Sequence, residues 1–282
     1  MLTGHEKKKL LSFLEEDMAR NDVTSAITPD MKSIAYIRCN EGCTLSGIDE
    51  VAFLFSSAGL DARPLARRGM KIKKGKKVMR ISGGGRKILS IERVALNVIG
   101  KMSGVATISR KASEISGVKS GKAAGKTKIY LTRKTTPGFS VFEKKACIDG
   151  GVMPHRRNLA DGILIKENHL RFFGSVEGAV QAARKKYKKM KIEIEAENMK
   201  QASEAANAGA DIILLDNFTP ARAKEAVKMI KKINRRIVIE LSGGISLKNL
   251  KQYVNLGAGR ISMGQLTKEA KIIDFSLDIR KV

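Results

Sequence analysis

The sequence predicts an α/β protein in two parts: a small α/β domain, then an open, incomplete βα barrel of about six parallel strands. Three observations carry this. From about residue 127 onward, short β-branched runs alternate with helical stretches, the pattern of parallel βα units. The first hundred or so residues lack that alternation. Six apolar runs break off directly into charged residues or glycine turns, and in a closed parallel barrel the strand C-termini build the site.

Taken in order, a helix near 5–19 places Leu10, Leu11, Leu14 and Met18 on one face and leads into Asp22-Val-Thr-Ser25, a polar turn. A strand near 33–38 precedes a helix at 48–58 that Gly59 stops, as glycines past a helix end commonly do. Strands near 61–66 and 77–82 flank the lysine- and glycine-rich turn 69–76. Gly83-Gly-Gly85 has no βαβ context for a nucleotide and reads as another turn. Ile88, Ile91, Ala95, Val98, Ile99, Met102 and Val105 then recur at helical spacing over 86–115. Residues 1–110 therefore form the N-terminal domain and 111–270 the barrel. Barrel strands are expected near 127–132, 162–165, 191–195, 211–215, 236–240 and 259–263, with helices at 198–208 and 246–256 ending at Gly209 and Gly257. The small, basic segment 119–128 reads as a mobile loop. Within 271–282 the tail alternates with period two and reads as a strand returning to the first domain.

A chain of 282 residues, 43% hydrophobic, can bury a real core. Ser12, Glu15, Glu16 and Asp17 break the N-terminal apolar run, which reads as an amphipathic helix and not a signal peptide. No apolar stretch approaches the roughly 20 residues that span a bilayer, so no membrane role is expected. Three cysteines without C-x-x-C spacing argue against a disulfide framework or zinc site and place the protein in a reducing cytoplasm. The 54 basic residues against 28 acidic ones give a net charge of +26, which attracts polyanions. Those cations are spread along the chain, Trp is absent and aromatics are only 5%, so a nucleic-acid surface is poorly supplied and no nucleic-acid partner is expected.

The breaks themselves compose a site. Arg133 and Lys134 sit on a turn fixed by Pro137-Gly138, and His155, Arg156 and Arg157 follow Gly150-Gly151. Arg suits bidentate grasp of a carboxylate, and His supplies a tunable donor. Lys166 ends another run, with Asn168 and His169 beside it to hold the turn. Glu195 and Asp216 are the acidic counterweight: either they meet Mg²⁺ or ribose hydroxyls, or they pair with Lys166 or Lys134 as structural ion pairs. Ser242-Gly243-Gly244 and Ser262-Met-Gly264 end the last two barrel strands with glycine turns, each leading into a helical start, whose amides can seat a phosphate. The implied substrates are a phosphorylated sugar and a small polycarboxylate. No Ser–His–Asp or Cys–His arrangement suggests a covalent route.

The stretches TRKTTPG at 132–138, GGVMPHR at 150–156, LIKENH at 164–169, EIEAEN at 193–198, LLDNF at 214–218 and SGGIS at 242–246 resemble the quinolinate phosphoribosyltransferase family. So do Glu16-Asp17, Asp22-Val-Thr-Ser25, Glu92-Arg-Val-Ala-Leu-Asn97 and Ser103-Gly-Val-Ala-Thr107, and the similarity runs in order from about residue 10 to the C-terminus. The resemblance implies an N-terminal α/β sandwich packed on the open barrel, and a homodimer whose active sites are shared. It implies an enzyme of NAD biosynthesis that converts quinolinate and phosphoribosyl pyrophosphate, with Mg²⁺, to nicotinate mononucleotide, pyrophosphate and CO₂. By motif, Arg133, His155, Arg156 and Lys166 grip quinolinate, joined by Arg93 of the other subunit. Lys134 lies near the pyrophosphate, Glu195 and Asp216 at the ribose hydroxyls and metal, and Ser242, Gly243 and Gly264 at the 5′-phosphate. Lys134, Lys166, Glu195 and Asp216 are the expected catalytic set. Two stretches depart from the family: 119–128 is longer than its usual connection, and Gln265-Leu-Thr-Lys268 falls where relatives vary. A related branch associated with molybdenum uptake has altered site motifs, and the intact PHR and LIKENH argue against it. An RNA-binding protein on a barrel scaffold would leave the mixed acidic and cationic rim unexplained.

Overall fold

The computed structural model describes residues 2–18, 22–117 and 127–282, so nearly all of the basic segment 119–128 lies outside the described residues. The chain divides into two compact units, one formed by 1–110, 135–150 and 269–282, the other by 111–134 and 151–268.

In the first unit, α1 (Gly4–Met18) buries Leu10 and Leu14 one turn apart. The polar Asp22–Ser25 segment is not merely a turn: Asp22 caps a short helix, α2 (Val23–Ile27), accepting from the Ser25 amide at 2.9 Å. Next come β1 (Lys32–Cys39), β2 (Cys43–Thr44), α3 (Ile48–Ser57), β3 (Asp61–Pro64), β4 (Lys71–Ile72) and β5 (Lys77–Gly84). Gly83 and Gly84 belong to β5 and Gly85 starts the long helix α4 (Gly85–Ile115), so the glycine triplet is a strand-to-helix junction and not a loop. The antiparallel sheet of this unit has the order β12–β1–β5–β3, where β12 is the alternating tail, Phe275–Lys281. Along β1 every second residue is buried, the mark of a sheet with one face on a core. Gly104 lets the chain cross α4 closely: a Cβ there would stand 1.8 Å from the Lys271 carbonyl oxygen.

Between β6 (Lys128–Leu131) and β7 (Ile163–Ile165) lies α5 (Ser140–Asp149), which belongs to the first unit. Its buried Glu143 accepts from the amide and hydroxyl of Thr136 at 2.9 and 2.8 Å, and its Lys145 reaches Glu6 and Glu50.

The second unit continues through α6 (Glu167–Phe173), α7 (Val176–Lys186), β8 (Ile192–Ala196), α8 (Met199–Asn207), β9 (Ile212–Asp216), α9 (Pro220–Ile233), β10 (Val238–Ser242), α10 (Leu250–Tyr253), β11 (Arg260–Met263) and α11 (Gln265–Lys268). Its six strands form one parallel sheet in the order β6–β11–β10–β9–β8–β7, the expected incomplete barrel. The helix expected over 246–256 shrinks to α10, because the Asn249 side chain closes a turn by accepting from the Ser246 amide and donating to the Gly244 carbonyl. No helix among the described residues is long and apolar enough to cross a membrane.

Candidate active site

Because side chains alternate along a strand, residues two apart share a face. Each barrel strand sends one residue to a rim layer and another to a layer below: Thr132 over Tyr130, Lys166 over Leu164, Glu195 over Glu193, Asp216 over Leu214, Ser242 over Glu240, and Gly264 over Ser262. The result is a cavity of about 220 Å³ within the second unit. Arg133, Lys134, His155, Arg156, Lys166, Glu195, Asp216 and Ser242 all line it, so eight of the expected site residues converge.

The rim is held by its own hydrogen bonds. The Lys134 carbonyl accepts from Thr267 Oγ1 at 2.6 Å. The Lys134 chain also runs past Gly264, where a Cβ would stand in ordinary van der Waals contact with Lys134 Cδ at 3.5 Å. Lys166 pairs with Glu195 across neighbouring strands. His169 holds the turn, its Nδ1 accepting from the Lys166 amide at 3.0 Å. The Asn217 amide donates to the Ser242 carbonyl at 2.9 Å and its side chain to Asp216 at 2.7 Å, tying β9 to β10. Gly243 sits at φ 83°, and a Cβ there would lie 2.3 Å from Asn217 Oδ1, so only glycine fits. Gly243 and Gly244, both at positive φ, form a turn whose amides can meet an anion. The anion seat at β10 is thus a glycine turn rather than a helix start.

Three residues named from the sequence have surroundings that the motifs did not show. His155 does line the cavity, but both ring nitrogens face protein: Nδ1 accepts from the Arg156 amide at 2.7 Å and Nε2 lies 3.2 Å from Glu240 Oε1. It is not a free donor for a substrate carboxylate. Arg157 lies outside the cavity lining, its amide donating to Asp161. Arg93 lies in the first unit on the exposed face of α4, one turn from exposed Asn97, while Val94, Ala95 and Val98 turn inward. It makes no hydrogen bond or ion pair among the described residues, although its charge acts on neighbouring Glu92.

The layer beneath the rim escaped sequence reading. Glu193 and Glu240 are buried in the sheet interior, where Glu240 accepts from Ser262 and faces Arg260 Nη1 at 3.6 Å. Burial, then the neighbouring Glu240 charge, pushes the Glu193 carboxyl up to about 7. Burial also opposes ionisation of Glu240, but the bonds from His155 and Ser262 and the charge of Arg260 win, and its carboxyl lies below the usual range. At neutral pH Glu240 is therefore ionised, while Glu193 divides about equally between its protonated and ionised forms. Burial and nearby Arg133 push the Arg156 guanidinium down from its ordinary value. Atoms of His155, Glu193 and Glu240 lie within 4.8 Å of one another, a spacing open to a metal ion, but Arg260 already supplies the cation there. A charged residue in the middle of an apolar strand, as in IEIEA and VIELS, was the available signal.

Comparison with known proteins agrees with this geometry. The profile of the quinolinate phosphoribosyl transferase C-terminal domain matches residues 105–278, and that of the N-terminal domain matches 22–103. A relative from Archaeoglobus fulgidus, named "Probable nicotinate-nucleotide pyrophosphorylase (carboxylating)", is 37% identical over 93% of this chain and 99% of its own. A protein of the same name from Methanocaldococcus jannaschii is 36% identical over 99% of both chains. The crystal structure of NadC from Streptococcus pyogenes superposes with a TM-score of 0.90 at 32% identity, covering 100% of this chain and 99% of that one.

Proposed function

Because the chain belongs to the quinolinate phosphoribosyltransferase family, we propose that it transfers a phosphoribosyl group from phosphoribosyl pyrophosphate to quinolinate with decarboxylation. The products are nicotinate mononucleotide, pyrophosphate and CO₂, a step of NAD biosynthesis. The observation that carries this reading is the composition of one cavity: Arg133, Arg156 and Lys166 exceed what a monocarboxylate needs, beside Glu195 and Asp216 on adjacent strand ends.

Arg133, Arg156 and Lys166 hold the dicarboxylate, so that the pyridine nitrogen faces C1 of the ribose. The C1–O bond to pyrophosphate breaks as the nitrogen bonds to C1, and the leaving group takes the electron pair. Lys134 compensates that growing charge from a fixed position. The carboxylate beside the new pyridinium then leaves as CO₂, its electron pair remaining on the ring carbon until a solvent proton arrives there. Ser242, Gly243 and Gly264 seat the 5′-phosphate. Glu195 and Asp216 bind the ribose hydroxyls and would hold Mg²⁺, whose preference for few carboxylates plus substrate phosphates fits this donor set and which would offset pyrophosphate charge.

The active site is shared in a homodimer, with Arg93 of one subunit reaching the quinolinate of the other; its exposure on α4 supports this. The reaction takes place in the cytoplasm, which suits three buried free thiols. Carboxyl-labelled quinolinate, phosphoribosyl pyrophosphate and Mg²⁺ test the activity. Equal amounts of mononucleotide, pyrophosphate and labelled CO₂ are expected, and mononucleotide without CO₂ contradicts the reading.

A further inference from the structure

The His155–Arg156 turn is strained and tethered from below. His155 sits at φ 40°, a region a non-glycine residue occupies only when its surroundings enforce it. Its imidazole packs edge-on against Tyr130, with ring centres 5.9 Å apart, and Tyr130 in turn lies under Arg260, 5.0 Å from the ring centre. The Nδ1 atom accepts from the Arg156 amide at 2.7 Å, so it carries no proton. Nε2 is then the protonated nitrogen, and it faces Glu240 Oε1 at 3.2 Å. Glu240 is fully buried and takes a second bond from the Ser262 hydroxyl on the adjoining strand. The chain of contacts runs from a carboxylate in the sheet interior, through one imidazole, to the backbone of Arg156, which lines the cavity and donates from Nη1 to the Gly162 carbonyl at 2.9 Å.

We propose that Glu240 is a positioning residue: through the His155 ring it fixes the tautomer and the turn that aim Arg156 at the dicarboxylate. The inference rests on the quinolinate reading above and deepens it. The ring supplies orientation and not charge, because the Arg156 amide already takes its second nitrogen. Glu240 must accept a hydrogen bond, and a neutral amide in its place accepts one equally well. Arg260 and Ser262 keep the carboxylate from swinging away. Without the Nε2 anchor, only the Tyr130 edge contact and the local bond from the Arg156 amide oppose relaxation of the positive φ, and the Arg156 side chain leaves its line with the substrate.

Two measurements on the full-length protein separate this inference from the activity it serves. Steady-state kinetics compare Glu240→Ala, His155→Ala, the double variant and Glu240→Gln. Losing a hydrogen bond that orients a charged group corresponds to roughly a tenfold to hundredfold rise in KM for quinolinate in either alanine variant. KM for phosphoribosyl pyrophosphate stays within about twofold, and the double variant is no worse than the singles, as residues on one line of contact require. Glu240→Gln stays within about threefold of wild type. The second measurement is long-range ¹⁵N–¹H NMR of the three histidines, His5, His155 and His169, which needs no turnover. His155 should show a protonated Nε2 and a bare Nδ1. Glutamine as damaging as alanine, an equal loss for both substrates, or a protonated Nδ1 overturns the proposal. A wild-type enzyme inactive on quinolinate but with the expected tautomer overturns the functional reading and leaves the Glu240–His155 contact standing.

Discussion

The two sheets of this protein bury opposite things. In the antiparallel sheet of the first unit, β1 turns Ser33, Ala35, Ile37 and Cys39 inward and leaves the residues between them partly exposed, so its buried face carries no charge. In the parallel sheet of the second unit, β8 and β10 bury Glu193 and Glu240, with Ser262 beside them on β11. Burying a carboxylate costs free energy unless it is paired or protonated, and here Glu240 is bonded while burial pushes Glu193 up to about 7. The first sheet is built for stability alone. The second gives up some stability to support a charged rim.

If the rim does the chemistry and the first unit contributes one residue from a second subunit, crossing the two regions gives the largest effect. Arg93→Ala and Lys134→Ala should each lose about 10²–10³-fold in kcat/KM, the scale of losing a preorganised charge at a reacting centre. Mixed dimers made by refolding the two together should regain partial activity, since one site then receives both native residues. A mixture as inactive as its components, with exchange shown by mass spectrometry, breaks the shared-site account.

Within the rim the acidic side should be separable from the cationic side. Asp216→Ala should raise the concentrations of phosphoribosyl pyrophosphate and Mg²⁺ needed for half-maximal rate roughly tenfold or more, the value of a bond to a charged group. Quinolinate affinity by calorimetry should stay within about threefold, less than one ordinary hydrogen bond is worth. Collapse of quinolinate affinity with the sugar phosphate still bound assigns Asp216 to the wrong half.

How much of this could be read from the sequence depends on which layer is considered. Rim residues announce themselves, because an apolar run that stops at Lys166 or Asp216 marks a strand end without any knowledge of register. The layer beneath does not. Reading β10 as 236–240, two residues early, makes Glu240 a strand terminus, whereas in Val238–Ser242 it is the central residue. Strands buried on both faces lack the alternation that reveals an inward side, and only the pairing of Glu240 with Arg260 and Leu214 fixes it. His155 was legible as a cavity residue but not in its bonding, since Glu240, which meets Nε2, comes from a strand distant in sequence. Helix α5 hides for a related reason: Glu143 and Lys144 are buried, which erases the amphipathic stripe by which helices are recognised.

The pH dependence of stability can be read in both units, and its sign differs between Glu193 in the parallel sheet and Asp22 at the α2 cap. Glu193 has a folded-state pKa of about 7, above the ordinary 4.5, so its contribution is full below about pH 4.5 and is lost as pH rises through about 7. Glu193→Gln, neutral throughout, should therefore gain on wild type from pH 5 to pH 8.5 by about 1–3 kcal/mol in denaturant melts. An equal difference at both pH values removes the protonated carboxyl from the account. Asp22 behaves in the opposite sense. Hydrogen bonds from Ser25 and Ser90 pull its carboxyl from 3.8 down to about 2, so its contribution is present above about pH 4 and is lost as pH falls through about 2. The stability gap between Asp22→Ala and wild type should be open at pH 6 and nearly closed at pH 2, a smaller effect because the group is exposed. A gap that does not change with pH contradicts the charged cap.

The central claim is that the cation surplus of the rim selects a dicarboxylate, and a competition between two pyridine acids tests it most directly. Quinolinate and nicotinate are offered separately with phosphoribosyl pyrophosphate and Mg²⁺, and kcat/KM is measured for each. Lys166 keeps its pairing with Glu195, but a monocarboxylate cannot engage both Arg133 and Arg156 as two carboxylates can, at a cost of roughly 1–3 kcal/mol for each interaction lost. The account predicts preference for quinolinate by about tenfold to several hundredfold. Comparable turnover of nicotinate would contradict it.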